Sequence, residues 1–212
     1  MTEFLLVGPE TAPTRVLLAH GAGGPMDAPT MQAAATSLAA HGLRTARFEF
    51  DCTAARRSGR RRPPPKAETL ASEYLAAVAA LPGEGPLVAG GKSMGGRVAS
   101  LVADGLHAAR TIAGLLCLGY PFHPPGRPDQ LRTAHLADLR TPTLICQGTR
   151  DPFGGRDEVA GYALSERIEI LWLEDGDHDL KPRKRVTGLT AEDHLRTMAH
   201  AVAAWAARLD PA

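Results

Sequence analysis

Short apolar runs separated by stretches of helical periodicity leave this chain few folds to choose from. The runs are Val16–His20, Thr45–Phe50, Leu87–Gly90, Ile112–Leu118, Thr143–Gly148 and Ile168–Leu173. Most are apolar throughout rather than alternating, the pattern of parallel strands covered on both faces. Phe4–Val7 predicts a further strand, antiparallel and at an edge. Helices are predicted over Pro29–His41, Ala67–Leu81, Met94–His107, Arg156–Leu164 and Thr190–Leu209. The last places Leu195, Met198, Val202, Trp205 and Leu209 at helical spacing and opens on Thr190-Ala191-Glu192-Asp193, a capping-box variant. The expected class is α/β: a mostly parallel central sheet of about six to seven strands, helices on both faces and no separate cap domain.

A length of 212 residues suits one well-cored domain spanning 1–212. Two segments break the rhythm. Cys52–Lys66 carries Arg56, Arg57, Arg60, Arg61, Arg62 and Lys66 around Pro63-Pro64-Pro65. Tyr120–Arg140 carries Pro121, Pro124, Pro125 and Pro128 and makes a long excursion between strands.

A net charge of +1 gives no global field toward nucleic acid or membrane. Aromatics at 5% leave few stacking platforms for bases. No apolar run approaches the ~18 residues of a membrane span. Met1-Thr2-Glu3-Phe4 lacks the basic start of a signal peptide, so the expected location is the cytoplasm. Cys52, Cys117 and Cys146 sit in or beside apolar runs and read as small buried hydrophobes rather than a disulfide framework. No C-x-x-C or H-E-x-x-H spacing calls for a metal, and no cofactor is expected.

Gly91-Lys92-Ser93-Met94-Gly95 lies between a predicted strand and a predicted helix. In that context G-x-S-x-G is a sharp turn that lifts its serine above the sheet, with the following helix pointing N–H groups at the same spot. The bland alternative is a helix-capping serine. A phosphate-binding loop is a poorer fit, because its first glycine would fall on Pro86.

A serine nucleophile needs a base, an orienting acid and an oxyanion hole. Asp151 follows the run Thr143–Gly148, and His178 follows Ile168–Leu173 ahead of the final helix. Ser93, Asp151 and His178 thus stand in the chain order of a strand-turn-helix triad. Asp175, Asp177 and Asp179 flank the histidine and compete with Asp151 as the orienting carboxylate. The oxyanion donors are expected to be the N–H groups of Met94 and Ala22, the latter in the glycine-rich turn His20-Gly21-Ala22-Gly23-Gly24, which His20 braces.

Those two glycine-rich turns, together with Gly119-Tyr120-Pro121-Phe122-His123-Pro124-Pro125-Gly126, Gln147-Gly148-Thr149-Arg150-Asp151-Pro152-Phe153-Gly154 and Asp175-Gly176-Asp177-His178-Asp179-Leu180-Lys181-Pro182, resemble a family of small capless α/β-hydrolases. It is the bacterial branch related to a testis-expressed hydrolase-like protein and a subunit of a histone acetyltransferase complex. The resemblance implies the α/β-hydrolase fold, a Ser93–Asp151–His178 triad and hydrolase activity, without a substrate. Some eukaryotic relatives look like scaffolds, so a non-catalytic interaction protein is the alternative; a peptidase or acyltransferase using the same triad is another. The leading expectation is a serine hydrolase cleaving esters or thioesters of a small-molecule acyl substrate. Tyr120 and Phe122 are expected to wall its acyl pocket. Arg56–Lys66 and Lys181–Arg185 both follow strand ends, where they would draw an anionic substrate; solvated basic loops are the alternative.

Overall fold

The computed structural model describes residues 2–57 and 65–210. Its strands are β1 (Leu5–Val7), β2 (Arg15–Ala19), β3 (Arg44–Phe48), β4 (Leu87–Lys92), β5 (Gly114–Leu118), β6 (Thr143–Gly148) and β7 (Ile168–Leu173). They form one seven-stranded sheet in the order β1-β3-β2-β4-β5-β6-β7. β1 pairs antiparallel with β3, and the remaining pairs are parallel. The helices are α1 (Pro29–Ala40), α2 (Asp51–Arg57), α3 (Ala71–Ala80), α4 (Met94–Ala108), α5 (Arg156–Val159), α6 (Lys184–Thr187) and α7 (Ala191–Ala206), with 3-10 turns at Ala67–Leu70 and Ala134–Leu136.

Alternate residues of each strand enter opposite cores. Leu17, Ala19, Phe48, Leu115 and Cys117 pack with Tyr74 and Val78 of α3 and Val98 of α4. Val16, Leu18, Leu116, Leu118 and Cys146 pack with Met31 and Leu38 of α1 and Met198 and Trp205 of α7. Two covered faces explain why the runs show no polar alternation. Cys117 and Cys146 are free thiols on opposite faces. Burial pushes the Cys146 thiol up to about 12.

Local chemistry sets the ends. Thr190 caps α7: its side chain accepts from the Asp193 N–H at 3.2 Å, and Asp193 accepts from the Thr190 N–H at 2.8 Å. α5 stops at Val159, short of the expected Leu164; a turn closes there, with Tyr162 N–H on Val159 O at 3.0 Å. Tyr162 and Leu164 still pack against the core from that turn. α2 was not anticipated, because a seven-residue segment opening on Asp51 carries too few apolar positions to show a period. Arg56 and Arg57 close α2, while Arg60, Arg61 and Arg62 lie outside the described residues. Among the described residues no helix is long and apolar enough to cross a membrane.

The chain builds β2 and β3 in one direction, then returns to the other side of β2 to add β4 through β7. The reversal leaves a crevice at the carboxyl ends of β2 and β4, where the two glycine-rich turns emerge. Tyr74 of α3 secures β4 just before its turn. Its fully buried hydroxyl donates to Gly90 O at 2.9 Å and accepts from Gly90 N–H at 2.7 Å. Replacing Tyr74 with Phe strands both backbone groups, so urea unfolding of Tyr74→Phe should show a loss of about 1–3 kcal/mol. A loss below about 0.5 kcal/mol would mean that the hydroxyl is dispensable to β4.

Candidate active site

Ser93 sits between β4 and α4 at φ 51°, ψ −115°. Such a non-glycine backbone costs on the order of 1–3 kcal/mol and persists only where its surroundings enforce it. The enforcement is close packing. A Cβ on Gly91 would lie 2.6 Å from the Gly95 carbonyl carbon and 2.7 Å from Ala19 O, so the strand, the helix start and β2 meet where no side chain fits.

Ser93 Oγ lies 2.8 Å from His178 Nε2, and His178 Nδ1 lies 2.8 Å from Asp151 Oδ2. Asp151 is 2% exposed. Its carboxylate also accepts from Gln147 Nε2 at 3.0 Å and from the Phe153 N–H at 2.9 Å. An acid accepting on both oxygens makes His178 Nδ1–H the donor and leaves Nε2 to accept the serine proton. Phe153 covers the imidazole, its ring centroid 4.1 Å away.

The acids beside His178 are engaged elsewhere. Asp175 accepts from Arg183, whose hydrogen bonds hold its carboxyl down at about 2. Asp177 accepts from the N–H groups of Asp179 and Lys181. Asp179 pairs with Lys92 Nζ at 2.9 Å; burial acts to raise its pKa, but Lys92 brings it below the usual range. The carboxylate that meets the imidazole is therefore Asp151.

The histidine loop is tied down along its length. Lys92 Nζ donates to His178 O at 2.9 Å, and His194 Nδ1 donates to Leu180 O at 2.8 Å. Gly119 and Gly148 give the loop its path. A Cβ on Gly119, at φ +65°, would lie 2.8 Å from His178 O, and one on Gly148 would strike Gly176 and Asp177.

The turn after β2 stands on the other side of Ser93. His20 is fully buried; Nε2 accepts the Phe50 N–H at 3.1 Å, so Nδ1–H donates to Gly21 O at 2.7 Å. Ala22, Met94, Ser93 and His178 share a cleft of about 730 Å³ with Met31, Arg97, Pro121, Arg132 and Phe153. Met94 opens α4, where first-turn N–H groups have no acceptor within the helix.

A sequence profile described as "Alpha/beta hydrolase domain" matches residues 12–207. The chain belongs to this alpha/beta hydrolase family. Solved structures share its fold. A dienelactone hydrolase from Anabaena variabilis has a TM-score of 0.71 at 21% identity, over 98% of this chain and 92% of that one. The esterase domain of a Rhodothermus marinus protein has a TM-score of 0.66 at 17% identity, over 99% of both chains. An α/β serine hydrolase without a lid from Xanthomonas campestris has a TM-score of 0.63 at 19% identity, over 96% of this chain and 89% of that one.

Two expectations need correction in this alpha/beta hydrolase. Tyr120 and Phe122 do not wall the cleft: both are fully buried, their rings 5.0 Å apart in the core. The Phe122 N–H returns to Tyr120 O at 3.1 Å, a tight turn with Pro121 at its apex, and Pro121 is the residue that lines the cleft. Nor does Lys181–Arg185 line it; Arg183 is committed to Asp175. The supporting residues Gln147, Gly119, Gly148 and Lys92 were not singled out, although each lies inside a quoted motif.

The Arg183 pairing carries a sign. Asp175 has a folded pKa near 2, below the ordinary 3.8, so its contribution is complete above about pH 4 and fades as pH falls toward 2. Urea unfolding of wild type and Asp175→Asn should therefore differ at pH 7, draw together as pH falls through about 2, and converge only below it. A gap that stays constant would show that the ionised Asp175 is not what the loop depends on.

Proposed function

We propose that this chain is a serine hydrolase that cleaves carboxylic ester or thioester bonds of a small-molecule acyl substrate through an acyl-enzyme. The observation that carries this reading is the unbroken relay of Ser93, His178 and Asp151, with both links at 2.8 Å and its serine end open to the cleft. A helix-capping serine would need neither link, and Ser93 makes no side-chain cap on α4.

The steps follow from the donors and acceptors. His178 Nε2 takes the Ser93 proton as Oγ attacks the acyl carbon. Negative charge on the carbonyl oxygen is met by the N–H groups of Met94 and Ala22, both at the cleft wall beside Ser93. The imidazolium, held by Asp151, protonates the leaving group. Water then repeats the sequence, with His178 as base, and releases the acid. The sharp turn raises Ser93 toward the cleft, and the hydrogen bond to His178 Nε2 holds Oγ in place.

The same reading places the chain in the bacterial branch of capless hydrolases recognised from its motifs, as a single domain acting in the cytoplasm without nucleic acid or membrane as partner. An intact relay favours it over the scaffold alternative. Product analysis with water and competing acceptors separates hydrolysis from acyl transfer.

Fluorophosphonate labelling located by mass spectrometry tests the nucleophile. Wild type should carry the adduct on Ser93, and Ser93→Ala should carry none. On any ester turned over, Ser93→Ala should lose several orders of magnitude in kcat, and Asp151→Asn about 10³–10⁴-fold through loss of the correct imidazole tautomer. A wild-type protein inert to the probe at Ser93 would bring the scaffold reading forward.

A further inference from the structure

One wall of the cleft carries charge that the triad does not use. Arg97, on the first turn of α4, and Arg132, on the excursion after β5, both line the cleft that Ser93 opens into, and Lys66 joins them. Among the described residues, Glu68 is the carboxylate that answers these three cations. Glu68 is ion-paired to Arg97, and its field also reaches Arg132. Among the described residues, three positive charges against one negative leave this wall with a surplus of two. Arg97 Nε is buried without a hydrogen-bond partner among the described residues.

The two arginines are held in place rather than trailing in solvent. The Arg132 N–H donates to Phe122 O at 2.7 Å, and the Tyr120 hydroxyl donates to Arg132 O at 3.2 Å. Tyr120 and Phe122, which do not touch the cleft, thus fix the segment that presents Arg132 to it. On the helix side, Ser100 Oγ donates to Arg97 O at 2.7 Å and accepts from His135 Nε2 at 2.8 Å, tying α4 to the same excursion. Burial, and after it the charge of Arg97, lowers the pKa of Arg132, the mark of two like charges drawn close in a partly desolvated place. Without an external anion, such a pair costs repulsion; with one, Arg132 supplies a forked pair of donors and Arg97 the N–H groups that Glu68 leaves.

We propose that Arg97 and Arg132 form an oxyanion clamp that selects acyl substrates carrying a free carboxylate away from the scissile bond. The clamp sets specificity and takes no part in bond making. Its ligand being a substrate rests on the hydrolase reading; its binding of a carboxylate does not.

The test uses two ethyl esters of adipic acid, one with the far end a free carboxylate and one with that end a primary amide. The readout is the ratio of their kcat/KM values, followed by pH-stat. Wild type should favour the carboxylate by roughly 10- to 100-fold, and Arg132→Gln or Arg97→Gln should each bring the ratio down about tenfold or more. Arg132→Lys should fall between. Glu68→Gln should move the ratio the other way, by releasing Arg97 from its internal partner, a result that misfolding would not produce. Free adipate, followed by calorimetry, should bind wild type and Ser93→Ala alike, and more weakly in Arg132→Gln and at high salt. If neither ester is cleaved and Ser93 takes no fluorophosphonate, but adipate binds with this dependence on the arginines, the clamp stands and the hydrolase reading fails. If the amide ester is cleaved while the ratio stays near one in every variant and adipate does not bind, the clamp is overturned and the hydrolase reading stands.

Discussion

The site depends on a bridge across the sheet. Ser93 leaves the end of β4, while its partner His178 arrives from beyond β7, with β5 and β6 between them. At about 4.8 Å per strand that is a gap of roughly 14 Å. The loop after β7 must fold back over the ends of β6 and β5 to close it, and the requirement explains features that look unrelated along the chain. Gly148 ends β6 and Gly119 follows β5, and each lacks a side chain where the loop passes over. Lys92, the residue before Ser93, catches the far end of the bridge through the carbonyl of His178. Asp151 stands partway along it, which is why that carboxylate and not a nearer one in sequence meets the imidazole.

A bridge of this length holds its geometry only if it is rigid. The rigidity comes from buried polar groups that are satisfied several times over. Gln147 is the clearest case: fully buried, it accepts the Tyr120 N–H at 2.7 Å, and its two amide N–H groups are shared among Asp151 Oδ2, Tyr120 O and Gly154 O. One side chain thereby fixes the acid, the exit of β5 and the loop after β6. A buried network of this kind is favourable when complete and costly when any member is removed.

Much of this was legible in the residues. The strands were, because two apolar cores leave continuous runs with no polar alternation to confuse them, and Thr143–Gly148 and Ile168–Leu173 match the expected bounds. The order of Ser93, Asp151 and His178 was legible because each follows a strand end. Tyr120 and Phe122 were misplaced for a specific reason: proximity in sequence to a strand end says that a segment reaches the rim, not which side of it turns inward. Arg97 and Arg132 escaped notice because they lie on different elements, 35 positions apart, and neither belongs to the basic runs that drew attention.

The sequence by itself determined the layered α/β architecture, the sharp turn at Gly91–Gly95 and the placing of Ser93, Asp151 and His178 each after a strand end. These follow from local periodicity and backbone sterics, which need no knowledge of distant residues. Only the tertiary structure decided which of four acids orients His178, which residues the histidine loop crosses, and which cations face the cleft. Those are matters of distance between segments far apart in the chain, and they are set by the strand order, which places β4 three positions from β7.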